Sequence, residues 1–210
     1  MYLLSGLGAD CRVFDFVAFD YCRVVNIAWI SPEKSETIQE YARRLLAQIT
    51  VKRPILVGVS FGGMMAIEIA KLVDTEKVLL ISSVKTRFDL PAHFRLVGRL
   101  KLHRFFPVAL FKMVNPITFW FFGATNAQEC ALLKEIIIDT DDQFLKWAVV
   151  RILTWTNEDV PDNLVHIHGT RDRIFPLRNA HIKVKDGGHL MIVSKAAEVS
   201  GVIKATIVDQ

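Results

Sequence analysis

The apolar run Pro54-Ile55-Leu56-Val57 passes without interruption into Gly58-Val59-Ser60-Phe61-Gly62-Gly63, and from there into the mostly apolar segment 62–73. A strand that turns sharply and restarts as a helix leaves no room for side chains beside the turn, which is why glycines flank its central residue. The pattern therefore demands a layered fold, with a buried strand feeding a helix that packs back against it. It also holds Ser60 in a strained conformation above the strand end, at a helix N-terminus where backbone N–H groups favour developing negative charge. Ser60 reads as a nucleophile.

The rest of the chain alternates in the same way. Further short apolar runs, Tyr2-Leu3-Leu4, Arg23-Val24-Val25-Asn26-Ile27, Val78-Leu79-Leu80-Ile81 and Leu164-Val165-His166-Ile167, are expected strands, with Ala180-His181-Ile182-Lys183-Val184 a more polar strand near the sheet edge. Thr37 and Glu40 have capping-box spacing ahead of Ile38, Tyr41, Leu45, Leu46 and Ile49 on one helical face. A last helix from near Leu190 is expected to bury Ile192, Val193, Ala196, Val199 and Ile203. The expected fold class is α/β, a mostly parallel sheet flanked by helices. Segment 85–162 breaks the alternation, with aromatic-rich helical pattern interrupted at Pro91, Pro107, Pro116 and Gly123. It is expected to be an inserted helical cap on a core formed by 1–84 and 163–210.

Its 210 residues suit one domain with an insertion. Pro116-Ile117-Thr118-Phe119-Trp120-Phe121-Phe122 stops at Gly123, well short of the roughly 20 residues a membrane helix needs. Met1-Tyr2-Leu3-Leu4 has no basic leader, and Cys11, Cys22 and Cys130 are odd in number with no Cys-x-x-Cys pair. Reduced thiols in a cytoplasmic protein are expected. A net charge of +4 does not form the basic stripe of a nucleic-acid module. Only 85–112 is locally basic, with seven Lys and Arg against Asp89. Such a stretch suits a solvated face, attraction of an anionic substrate, or peripheral contact with an anionic membrane.

A serine hydroxyl needs a base within hydrogen-bond reach and a group that orients the base. The segment from His166 to Pro176 ends a strand at Gly169 and turns to present Asp172, while Asp186-Gly187-Gly188-His189-Leu190 places a histidine on a glycine-loosened loop before the last helix. His-Gly-x-x-Asp-x-x-x-Pro and Gly-Gly-His, following Gly-x-Ser-x-Gly in that order, resemble the α/β-hydrolase superfamily over nearly the whole chain. The resemblance implies Ser60 as nucleophile, His189 as general base and acid, Asp172 as orienting carboxylate, and an oxyanion hole from the backbone N–H groups of Leu7 and Phe61. The chain departs from the family pattern where Ser5-Gly6 stands for His-Gly and where Trp29-Ile30-Ser31-Pro32 replaces Asp-x-x-Gly-His-Gly.

The other candidates fit structural roles better. His166 and His168 alternate along one strand and read as packed and hydrogen-bonded, His93 and His103 fall in the cap, and His181 in the edge strand. Asp159 and Asp162 lie at the wrong strand end, Asp186 suits a turn, and Asp10 a local turn anchor. No cluster has metal-ligand spacing, and Gly6-x-Gly8 lacks the rest of a dinucleotide fingerprint, so no metal or cofactor is expected. The expected activity is a serine hydrolase acting on a small-molecule ester or thioester with an apolar part, which candidates in 85–162 would hold. A lyase or carbon-carbon hydrolase on the same triad and a non-catalytic binding protein are the alternatives.

Overall fold

The computed structural model describes residues 1–7 and 10–208, so Gly8 of the first turn lies outside the described residues. Within them β1 (Tyr2–Leu4), β2 (Val25–Asn26), β3 (Ile55–Val59), β4 (Lys77–Ile81), β5 (Leu164–Gly169) and β6 (Ile182–Val184) build one sheet. All pairings are parallel, in the order β2-β1-β3-β4-β5-β6. Because side chains alternate along a strand, Tyr2, Leu4, Leu56, Val78 and Leu80 feed one core, while Leu3, Val57, Leu79 and Ile81 feed the other. The β2 strand is shorter than the apolar run 23–27 suggests. It is an edge strand on a three-residue neighbour, which offers it only the pairs Tyr2↔Val25 and Leu3↔Asn26.

The first core is covered by α1 (Ile38–Leu45) and α2 (Phe61–Ala70). Thr37 and Glu40 form the reciprocal cap expected of them, Thr37 Oγ1 accepting from Glu40 N at 3.2 Å and Glu40 Oε2 from Thr37 N at 2.8 Å. Between β4 and β5 the chain forms α3 (Ala92–Arg99), α4 (Val108–Phe111), α5 (Pro116–Phe122), α6 (Ala127–Asp139) and α7 (Asp142–Leu153). The last of these belongs to the first core. Trp147 lies 4.3 Å from Tyr41 between ring centroids and donates to Glu36 O at 2.8 Å. Just beyond α7, Trp155 donates to Glu68 Oε1 at 2.7 Å, satisfying with Lys71 a carboxylate otherwise stranded in an apolar helix.

The second core is closed by α8 (Met191–Ser194) and α9 (Ala196–Val208). These replace the single last helix expected from the sequence, since Lys195, at φ −127° and ψ 30°, leaves the helical region. Val199 and Ile203 are fully buried one turn apart, whereas Ala196 is half-buried. No described helix is long and apolar enough to cross a membrane. Cys11, Cys22 and Cys130 are free thiols.

The sheet order carries the functional consequence. From β1 the chain crosses one way to β2 and then returns to the other side for β3, so the C-terminal ends of β1 and β3 flank a topological switch point, where open α/β sheets leave a crevice.

Candidate active site

Ser60 stands between β3 and α2 with φ +52° and ψ −118°. This is a costly conformation for a residue with a Cβ, on the order of 1–3 kcal/mol, and the surrounding backbone holds it. Ser60 N donates to Ile81 O at 3.0 Å, and Ser60 O accepts from Ser83 Oγ at 2.6 Å and Gly63 N at 3.0 Å. The flanking glycines are needed for approach: a Cβ on Gly62 would strike the carbonyls of Leu4 and Ser5, and one on Gly58 would strike the backbone of Gly62 and Gly63. A serine preceding a helix ordinarily caps it. The Ser60 hydroxyl makes no such bond, and instead meets His189 Nε2 at 2.9 Å.

The three residues singled out from separate loops converge. His189 Nδ1 donates to Asp172 Oδ2 at 2.8 Å, while its other nitrogen faces Ser60 Oγ. Asp172 Oδ1 accepts from Ile174 N and Phe175 N, each at 2.9 Å. Asp172 and His189 are buried and Ser60 is half-exposed. Phe122 and Phe175 present their rings edge-on to the imidazole at 5.6 and 5.4 Å. The loop glycines behave differently from the loosening role the sequence suggests. Gly187 packs directly on Gly169 and Gly188 on Gly123, so the histidine loop is pressed against the end of β5 and against α5. Bonds from Arg171 N to Gly187 O at 2.9 Å and from Leu190 N to Phe122 O at 2.8 Å complete the clamp.

His168 has a contact that strand periodicity does not foretell. Its Nε2 lies 2.7 Å from Phe175 O and 3.3 Å from Asp172 Oδ2. A carbonyl oxygen only accepts, so Nε2 carries a hydrogen, which it shares with the carboxylate. His166 Nε2 must likewise donate toward Ser83 O at 3.0 Å, leaving His168 Nδ1, also at 3.0 Å, as acceptor between the rings. Burial by itself would raise the Asp172 pKa, but the charge of His189 and hydrogen bonds from His168 and His189 outweigh it and hold the carboxyl well below its ordinary value. The sequence cue was available: His168 and Asp172 are four residues apart across the turn that ends β5.

His166 is pushed down to about 4, first by burial and then by the charge of His168. Between that value and the ordinary imidazole pKa of about 6.5, the unfolded chain binds a proton that the folded chain does not. Stability therefore falls on acidification, beginning near the unfolded value and levelling off near the folded one, by about 3 kcal/mol in all. Urea unfolding across this range is expected to show that loss, and His166→Asn is expected to remove it; an unchanged pH slope in the variant would contradict the assignment.

Leu7 and Phe61 each lie three residues past the register pair Leu4↔Gly58, so the β1 turn and the start of α2 face each other across the crevice. As the first residue of α2, Phe61 has an N–H with no acceptor inside the helix. Two departures from the superfamily pattern meet: Trp29 Nε1 donates to Ser5 Oγ at 2.9 Å, so the indole braces the β1 turn. Asp10 is a local anchor, accepting from Arg12 N and Nε. Asp186 turns with φ +58°, and His181 Nδ1 accepts from His166 N at 3.0 Å. Among the described residues, no group of three His, Cys, Asp or Glu side chains is placed to hold a metal ion.

A strand-turn-helix serine bonded to histidine and aspartate from later loops, on a parallel sheet, defines a hydrolase-type α/β fold. The sequence profile of the alpha/beta hydrolase family matches residues 1–202, and the chain belongs to that family. No curated protein matches its sequence. Among solved structures, it is similar to a hydrolase from Pseudomonas aeruginosa PA01, with TM-score 0.75 and 14% identity over 99% of this chain and 89% of that one. It also resembles a meta-cleavage product hydrolase from Pseudomonas fluorescens IP01, with TM-score 0.69 and 16% identity over 99% and 90%. For an enol-lactonase from Burkholderia xenovorans LB400 the values are 0.68 and 14% over 98% and 90%. At these identities the likeness is one of fold.

Proposed function

We propose that this protein is a serine hydrolase that cleaves a carboxylic ester or thioester through an acyl-enzyme. The observation carrying this reading is the continuous hydrogen-bond line from Ser60 Oγ through His189 to Asp172, at 2.9 and 2.8 Å, starting from a strained serine that does not cap its own helix. His189 Nε2 takes the Ser60 proton as Oγ attacks the carbonyl carbon, and returns it to the leaving alcohol or thiol. It then deprotonates the water that releases the acid. Asp172 keeps the imidazole oriented and stabilises its positive form. The N–H groups of Leu7 and Phe61 receive the oxyanion. The segment 85–162 serves as the cap, with Phe94, Phe111, Phe121 and Phe122 around its groove receiving the apolar part of the substrate.

A fluorophosphonate probe reads this directly, because it reacts with an activated serine regardless of the natural substrate. Labelling that maps to Ser60 and vanishes in Ser60→Ala is expected. Folded protein that takes no label would refute the nucleophile and leave a binding role on the same fold.

A further inference from the structure

The part of the molecule least suited to water is the chain between β4 and β5. Ten of the fifteen exposed large hydrophobic residues in the described chain fall between Phe88 and Phe121. On α5 they form a face: Ile117, Trp120 and Phe121, spaced i, i+3 and i+4, are 65, 55 and 43% exposed, while Phe119 and Phe122 turn inward to the second core. The turn after α3 repeats the motif at its tip, where Phe105 is 80% exposed. These elements adjoin. Phe94 of α3, Leu110 of α4, and Ile117 and Phe121 of α5 line one groove of about 540 Å³, and Phe106 meets Phe111 edge-on at 6.4 Å.

Cations lie on the same segment, along α3 and the turn after it, with Arg95 and Arg99 beside the exposed Phe88. Arg95, Arg99, Lys101 and Arg104 are exposed, and no acidic side chain among the described residues pairs with any of them. Arg173 lies over the Trp120 ring at 4.2 Å and donates to its carbonyl oxygen at 2.7 Å, tying α5 to the loop after Asp172. We infer that the surface formed by α3, α4 and α5 docks on an anionic lipid bilayer, with the outer face of α5 and the Phe105 tip entering the interface and the free cations meeting lipid phosphates.

The chemistry selects this occupant. Exposed Ile, Trp and Phe beside unpaired Arg and Lys match an interface that is apolar below and anionic above. A second copy of the chain is a poorer match, because a two-fold contact sets identical patches together and brings these same cations against each other. Docking would also serve the groove: Phe122 in its wall lies 5.6 Å from the His189 ring, so an acyl chain leaving the bilayer would be held one side chain away from the proposed base. The docking itself does not depend on the proposed chemistry.

The full chain is mixed with phosphatidylcholine vesicles, and with the same vesicles containing phosphatidylglycerol, at low and high salt. Cosedimentation with the anionic vesicles alone is expected, with release by salt and a blue shift of tryptophan fluorescence that is absent in Trp120→Leu. At roughly fivefold per cation, Arg95→Glu/Arg99→Glu/Lys101→Glu/Arg104→Glu is expected to lose at least about a hundredfold in partitioning; these exposed, unpaired positions leave the cores untouched. Ser60→Ala is expected to bind like the parent chain. Folded protein that stays in the supernatant, binding that ignores lipid charge, or a lipid-free dimer in which Trp120 is shielded would each overturn the inference.

Discussion

Ser60→Ala is expected to lower ester turnover by a factor on the order of 10⁴ or more while leaving the fold intact. The size follows from what the hydroxyl does in the structure. It makes no helix cap, so its removal costs α2 no capping bond, and its hydrogen bond to His189 Nε2 at 2.9 Å is a contact with the proposed base. The strained backbone survives the change, since Ile81 O, Ser83 Oγ and Gly63 N hold the main chain of residue 60 and not its side chain. Loss of rate without loss of unfolding midpoint is the signature to measure, with a panel of short- and long-chain acyl esters and thioesters as substrates. A loss below about tenfold would mean that another group carries the chemistry.

Asp172→Asn is expected to produce a drop on the order of 10⁴ in kcat, for a reason specific to this site. The carboxylate accepts from Ile174 N and Phe175 N on one oxygen, and from His189 Nδ1 and His168 Nε2 on the other. An amide has one acceptor oxygen. Facing the backbone with that oxygen turns its NH₂ toward two nitrogens that already donate, so His189 must present a bare Nδ1 and carry its hydrogen on Nε2, where it can no longer accept from Ser60. Turning the amide over sets NH₂ against two backbone donors and loosens the loop after β5. Either arrangement breaks the line. The check is kcat together with the imidazole nitrogen chemical shifts by NMR, which report the tautomer; full activity in Asp172→Asn would remove Asp172 from the proposed mechanism.

Ser60, Asp172 and His189 were legible along the chain because each follows a strand-like run and sits in a glycine-rich turn, and because parallel strands with helical crossovers gather such turns at one sheet edge. Local chemistry of this kind is written in neighbouring residues, as the Thr37 and Glu40 cap also shows. The distant partners that brace the site and the core beneath it were not. Ser83 reaches the Ser60 carbonyl across 23 positions, and Trp29 reaches Ser5 across 24. Trp147 and Trp155 belong to the segment read as a cap, yet they are bonded into the first core through Glu36 and Glu68.

The turn from β3 into α2 could be read from Gly58-Val59-Ser60-Phe61-Gly62 because backbone strain and steric crowding act within a few residues, and their remedy is spelled in adjacent letters. Which indole faces the core and which faces outward could not. Trp147 and Trp120 occupy similar helical, aromatic-rich surroundings, and burial depends on whether the packed helices bring a partner opposite. Folding sets Trp147 on Tyr41 and leaves Trp120 more than half exposed beneath Arg173.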